Sequence, residues 1–329
     1  MKFIDNQGIT DPTINLAIEE YAVKYLPADE DYLLFYINEP SIIIGKNQNT
    51  IAEINSQYVE EHGIHVVRRL SGGGAVYHDL GNLNFSFITN NDGQSFHNYK
   101  KFTEPVVQAL RNLGVQAELT GRNDIQVGER KISGNAQFAM KGRMYTHGTL
   151  MFDSKLEDVV SALKVNAAKI ESKGIKSIRS RVANIIEFMS EAMTIEQFRK
   201  HLLESIFRGS DIPEYRLTEE DWRKIKEISE QRYRSWDWNF GKSPLSNLVR
   251  SQRIEGAGTI EPHLQINGGI IEDIHIYGDF FGMEDVREVE AALKGIPYRK
   301  ESIEAALKNI DIPKYFGKVD RSDLVAVLI

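Results

Sequence analysis

The sequence of 329 residues predicts an α+β protein in two domains. Runs rich in β-branched and aromatic residues are interspersed with amphipathic helical stretches up to about residue 235. That pattern breaks at an aromatic and glycine–proline segment, Trp236 to Pro244. It restarts as alternating strands followed by helices over about 80 residues, a small α+β unit of its own. The length is enough for two cores. The expected domains are residues 1–245 and 246–329.

Taken in order, Asp11-Pro12 opens a helix as cap and first-turn proline, with Ile14, Ala17, Ile18, Tyr21 and Tyr25 at helical spacing and Pro27 as the stop. Glu19 and Glu20 fall on its other face and read as solvated. Residues 32–37 and 41–44 read as strands broken at Glu39-Pro40, and Asn55 caps a short helix ending at Gly63. Leu83, Phe85 and Phe87 alternate as in a strand. A helix over 102–113 contains Pro105, which is tolerable in a first turn. Short strands are expected at 115–119, 124–127, 131–133 and 145–152, with turns at 127–130 and 140–143. Thr194 with Gln197 forms a capping box for a helix to Arg208, and Thr218 caps another to about Arg232. The aromatics at 236–240 read as anchors of a chain crossing. In the small unit, Asn267-Gly268-Gly269 marks a hairpin, followed by helices at about 284–294 and 301–309.

Composition excludes several function classes. The net charge of −7 argues against a general nucleic-acid binder, and no nucleic-acid partner is expected. The chain has no cysteine, which removes disulfides, thiolate metal sites and cysteine nucleophiles. No apolar run approaches 18 residues, and the N-terminus lacks a signal-peptide core, so a cytoplasmic protein without membrane partners is expected. His78 and His147 stand apart, without the spacing of a zinc site.

Two stretches carry the chemistry. In the first, Val66-Val67-Arg68-Arg69-Leu70-Ser71 leads into Gly72-Gly73-Gly74 and a second apolar run. Adjacent glycines in a strand-like context lose backbone entropy, so something must compensate. One reading is bare backbone against an anionic ligand, with Arg68 or Arg69 nearby. The other is a wide hairpin with a glycine bulge. The stretch has neither the Lys-Ser/Thr ending of a P-loop nor dinucleotide-fold spacing. In the second stretch, Lys131 precedes Ser133-Gly134-Asn135; one reading is a lysine that ends a strand in water, the other a lysine aimed at an anion, with small neighbours that leave room. Asp124 is a candidate carboxylate for Mg²⁺, which prefers one or two carboxylates plus phosphate oxygens.

The ordered blocks Arg68–Asp79, Gly121-Arg122-Asn123-Asp124, Lys131–Ala136, His147-Gly148-Thr149-Leu150 and Lys173–Val182 resemble those of the lipoate–protein ligases. Asn15-Leu16-Ala17-x-Glu19-Glu20 and Trp236-x-Trp238-Asn239-Phe240-Gly241 do so too. The resemblance covers about residues 10–245, and the remainder is similar to that family's accessory domain in size and layout. It implies the fold shared with biotin ligases: mixed and antiparallel sheets flanked by helices, with ligand across the sheet. It also implies two chemical steps. Lipoate attacks the α-phosphate of ATP to give lipoyl-AMP and pyrophosphate. A lysine of a lipoyl carrier domain then takes the acyl group and AMP leaves. The implied carriers are E2 subunits of 2-oxoacid dehydrogenases and the glycine cleavage H protein.

On this resemblance Lys131 bridges the carboxylate and the α-phosphate. Arg69, Gly74, Ala75, Val76, Tyr77, Asn123 and Asp124 serve ATP, with Mg²⁺ on Asp124. Leu16, Gly72, Gly73, Val76, His78 and His147, with Lys131, serve lipoate or octanoate. The small domain is expected to move between the two steps. An octanoyltransferase of the same fold needs a cysteine that is absent here, and a biotin ligase needs a different glycine loop. A non-catalytic binder of lipoate or lipoyl-AMP has no need of Lys131 and Arg69 together.

Overall fold

The computed structural model describes residues 1–140, 142–163, 181–240 and 248–329. They divide into two compact units. One comprises Met1–Ile43, Ile51–Arg68 and Val76–Asn239; the other comprises Ile44–Thr50, Arg69–Ala75 and Phe240–Ile329.

The first unit is built on an eight-stranded mixed sheet. Its strands are β1 (Lys2–Asp5), β2 (Tyr32–Ile37), β6 (Asn82–Asn90), β7 (Ala117–Thr120), β8 (Asp124–Val127), β9 (Arg130–Met140), β10 (Arg143–Met151) and β11 (Glu214–Tyr215). Their order is β11-β1-β2-β6-β10-β9-β8-β7. β1 runs parallel to β11 and β2, and the pairs from β2 to β7 are antiparallel. β3 (Ser41–Ile44), β4 (His65–Arg68) and β5 (Val76–His78) form a separate sheet in the order β4-β3-β5. β4 and β5 therefore flank β3, and the hairpin reading of the glycine stretch is wrong. The connection between them crosses over a strand and does not reverse at a bulge.

Side-chain alternation gives the large sheet two unlike faces. Leu33, Phe35, Leu83, Phe85, Phe87 and Leu150 point into an apolar core. Helices Tyr99–Asn112 and Ile195–Phe207 close that core with Phe102, Val106, Leu110, Phe198 and Leu202. The opposite face carries Tyr36, Asn84, Ser86, His147 and Thr149, paired across β2, β6 and β10. Helix Pro12–Tyr25, capped by Asp11, covers this second face.

That helix overturns the expectation for its two glutamates. Glu19 and Glu20 are each 1% exposed. The helix lies between the sheet and a second layer, helix Glu219–Ile228 with the turn Ser229–Tyr233, so both of its faces are covered. Glu20 is neutralised by Lys24 and by Arg232 at 3.0 Å. Tyr21 donates to Asp221 at 2.5 Å, and Tyr215 and the Thr218 amide donate to the same carboxylate at 3.1 and 2.8 Å. Burial would raise the Asp221 carboxyl, but the hydrogen bonds from Tyr21, Thr218 and Tyr215 outweigh it and hold it below its ordinary value. A carboxylate depressed in the folded state stabilises above its unfolded pKa, about 4, and that contribution is lost as pH falls through the folded value. We expect Asp221→Ala to lower stability by about 1–3 kcal/mol at neutral pH. Denaturant titration should show the difference from the parent shrinking below pH 4.

Three further differences have local causes. Helix Tyr99–Asn112 starts at an Asn98 cap, so Pro105 lies inside it and not in its first turn. β9 extends to Met140 because it pairs with β10 along its C-terminal part. Among the described residues the second unit has helices Arg287–Leu293, Lys300–Leu307, Ile312–Phe316 and Arg321–Leu328, where two are expected; Ile312–Phe316 is a short turn opened by Pro313, and Arg321–Leu328 is opened by a capping box at Asp320. They pack with the hairpin of strands Gly258–Asn267 and Ile270–Gly278 around Ile260, Leu264, Phe280, Phe316 and Leu324.

Candidate active site

A bulge sets the lysine's direction. In the β8–β9 ladder Asp124 faces Gly134 and Ile125 faces Ser133, but Gln126 faces Lys131, which leaves Ile132 as the extra residue. Without it, Lys131 would share a face with Ser133 and enter the core. With it, Ile132 is buried in the core, and Lys131 joins Asp124 and Gly134 on the opposite, polar face. His147 lies on that same face, across from Ala136. The backbone of Lys131 is held on both sides by the 181–183 segment: its amide donates to Arg181 at 2.7 Å and its carbonyl accepts from Ala183 at 3.0 Å.

The Lys131 ammonium stands 2.8 Å from Asp124 Oδ1, with both side chains about one-third exposed (36% and 32%). A methyl group at Gly134 would come within 2.9 Å of Nζ and 3.1 Å of Cε, so the missing side chain makes the lysine's seat. Asn123 is committed to the neighbouring strand: Nδ2 donates to Asn135 O at 2.6 Å, and Asn123 O accepts from Asn135 N at 3.0 Å.

His147 is buried, with Nδ1 at 3.0 and 3.1 Å from the two oxygens of Glu19. Tyr36 donates to the same carboxylate at 3.2 Å. Leu16, on the same helix as Glu19, is also buried. His78 is buried against Asn38, and Tyr77 is buried beside Asp158 and Asp79, burial first and those charges next pushing its hydroxyl well above the ordinary tyrosine value. Val76 is half-buried at the head of β5. Ser86 is fully buried on the polar face, and its hydroxyl has no hydrogen-bond partner among the described residues.

In the second unit, the glycine loop is shaped by its own residues. Arg69 donates from Nε to Ser71 Oγ at 2.9 Å and from Nη2 to the carbonyls of Gly72 and Gly74 at 2.7 and 2.8 Å. Gly73, at φ +95°, takes the ring of Phe281 where a side chain would stand, and Gly72 lies against the backbone of Phe280. Gly45 meets the Gly73 carbonyl in the same way. The compensation for two of the three glycines is thus close packing within the chain. Gly74 alone faces open space, and Ala75 beside it is half-buried.

The 173–180 portion of the Lys173–Val182 block and the Gly241–Pro244 connection lie outside the described residues. The same polar face, with the helix over it, carries Glu19, Tyr36 and Ser86, which the sequence reading does not place beside His147. The signal for Ser86 was present: Asn82, Asn84 and Ser86 alternate with the apolar residues of β6. Among the described residues no group of three or more His, Asp or Glu side chains is placed to hold a metal ion.

Residues 11–207 match the family model described as the lipoyl protein ligase A/B catalytic domain, and residues 243–328 match the bacterial lipoate protein ligase C-terminus. The chain is 63% identical to a Bacillus subtilis protein named lipoate-protein ligase LplJ, over the full length of both. It is similar to the crystal structure of P. falciparum LipL1 in complex with lipoate, with TM-score 0.81, 26% identity, and 99% and 97% of the two chains covered. It is also similar to a structure of lipoate-protein ligase A bound with ATP, with TM-score 0.63, 30% identity, and 73% and 98% covered.

Proposed function

Given that the chain belongs to the lipoate–protein ligase family, we propose that it activates lipoate with ATP as lipoyl-AMP and transfers the lipoyl group to a lysine of lipoyl carrier domains. The carriers we assign are E2 subunits of 2-oxoacid dehydrogenases and the glycine cleavage H protein. The observation that carries the reading is the Lys131 seat, a cation turned onto the polar face by a bulge and given room by Gly134.

The first step brings a carboxylate and a phosphate together, two groups that repel. Lys131 lies between them, in this reading, and neutralises charge as phosphorus becomes five-coordinate. Its pairing with Asp124 keeps the ammonium in place before substrates arrive. A preorganised donor of this kind is worth about 3–4 kcal/mol in the barrier, a rate factor of roughly 100 to 1,000. Backbone at Gly74, Ala75, Val76 and Tyr77 serves the nucleotide, with Asn123 bracing the strand beneath it. Arg69, which donates to the carbonyls of Gly72 and Gly74, is the cation we assign to phosphate, onto which it can fork. Leu16, Gly72, Gly73, Val76, His78 and His147 serve the acyl chain. Asp124 is the carboxylate we assign to Mg²⁺; a cation bound mainly by phosphate oxygens needs only one or two protein carboxylates, so the residues fit. Mg²⁺ there supplies charge neutralisation of the phosphates. In the second step the chain's role is to orient an amine on an activated carbonyl, with no covalent enzyme intermediate.

Mass spectrometry of purified carrier domains incubated with the protein, ATP, Mg²⁺ and lipoate tests the proposal. A lipoyl adduct on one lysine is the expected result; unmodified carriers with a folded protein would refute it. Gly134→Ala tests the seat. Its methyl group displaces the end of a flexible lysine, so the fold is retained. A misplacement of about 1 Å costs on the order of a hundredfold, and lipoate-dependent ATP–pyrophosphate exchange should fall by about that factor with the melting temperature unchanged.

A further inference from the structure

We infer that Asn38, itself oriented by Asn15, is a positioning residue that holds His78 as a neutral ring with its proton on Nε2. Three buried amides lead to this histidine. Asn6 Nδ2 donates to Ile9 O at 2.8 Å and to Asn15 Oδ1 at 2.9 Å. Asn15 Nδ2 donates its two protons to Ile9 O and to Asn38 Oδ1, each at 2.9 Å, with Ile37 O a longer, shared contact at 3.3 Å. Asn38 Nδ2 lies 3.0 Å from His78 Nδ1. Asn6, Asn15, Asn38 and His78 are all at most 3% exposed, so water does not compete for these groups.

An amide viewed by itself can be turned end for end, and a ring nitrogen can donate or accept. Here the choice is forced. Backbone carbonyls only accept, so the ends of Asn6 and Asn15 that face Ile9 O and Ile37 O must be the NH₂ groups. The Asn38 atom facing the Asn15 NH₂ must then be its oxygen. Its NH₂ is left for His78, and Nδ1 has to offer a lone pair. The single proton of the neutral ring therefore sits on Nε2. Protonating Nδ1 would set one N–H against another.

His147 is wired in the opposite sense. Its Nδ1 faces two carboxylate oxygens of Glu19, which accept, so Nδ1 is the donor there. Resting on the ligase reading above, the two histidines assigned to the acyl group have different tasks. His78 presents an N–H and donates a hydrogen bond to the acyl ligand. It does not take the proton that the carrier lysine loses.

The test is long-range proton–nitrogen NMR on ¹⁵N-histidine protein without substrate, with His78 assigned by comparison with His78→Gln. The expected wild-type spectrum has Nδ1 unprotonated and Nε2 protonated; a protonated Nδ1 would overturn the inference. Asn38→Leu removes the donor without adding a charge and frees Nδ1 to take the proton. Where the proton moves there, the KM for lipoate should rise roughly tenfold while the KM for ATP stays within about twofold, as expected when one hydrogen bond to one substrate is lost. An unchanged lipoate KM in a variant whose tautomer has switched would overturn the positioning role. Should the wild type show no lipoate-dependent exchange, the ligase reading fails, and the ring assignment still stands or falls on the substrate-free spectrum.

Discussion

Lys131→Ala is expected to reduce lipoate-dependent ATP–pyrophosphate exchange by roughly 100- to 1,000-fold, while leaving the melting temperature within about four degrees of the parent. The asymmetry follows from position. The ammonium and its Asp124 partner are about one-third exposed, at 36% and 32%, and pairs of that kind contribute only about 0–1 kcal/mol to stability. The strand itself is held by backbone bonds to Arg181 and Ala183, which the substitution leaves in place. Catalysis has no such redundancy. Without the ammonium, no group in this reading bridges the carboxylate and the α-phosphate. Lys131→Arg should recover little, because a planar fork does not fit the seat beside Gly134 that the slender lysine stem occupies. Exchange at wild-type rate in the alanine variant would remove Lys131 from the mechanism.

The largest effect on stability is expected at Gly73→Val. The residue has φ +95°, which a β-branched side chain does not adopt without strain, and its Cβ would stand 2.6 Å from Phe281 Cζ and 3.0 Å from Arg69 Nη2. Backbone strain and overpacking together should cost about 2–5 kcal/mol. That is a large part of the margin of a small domain. Guanidinium unfolding should show the loss in the transition of the second unit. Combining Gly73→Ala with Phe281→Ala separates the two causes. Removing the ring should relieve the collision and leave only the backbone strain, so the double variant should lose less than the sum of the single variants. Additive losses would show that the ring does not press on Gly73.

Much of the local structure was legible because it rests on short-range chemistry. The caps at Asp11, Thr194 and Thr218, the turn at Gly268-Gly269 and the alternation of β6 all appear where propensity and spacing put them. Lys131 was legible as a residue, from its small neighbours. Its direction was not, because a one-residue bulge has no mark in sequence. Glu19 and Glu20 were misread because a helix covered on both sides looks, by periodicity, like one covered on a single side. For the glycine stretch the sequence left two readings open, bare backbone against a ligand and a hairpin with a glycine bulge. At Gly72 and Gly73 the close neighbours are Phe280 and Phe281, and no local rule brings so distant a segment into contact.

The decisive measurement is a crystal structure with a non-hydrolysable lipoyl-adenylate analogue bound. Lys131 Nζ, now 2.8 Å from Asp124 Oδ1, should lie within hydrogen-bond distance, about 2.7–3.2 Å, of both the acyl oxygen and an α-phosphate oxygen. An ammonium still held on Asp124, with the adenylate beyond its reach, would contradict it.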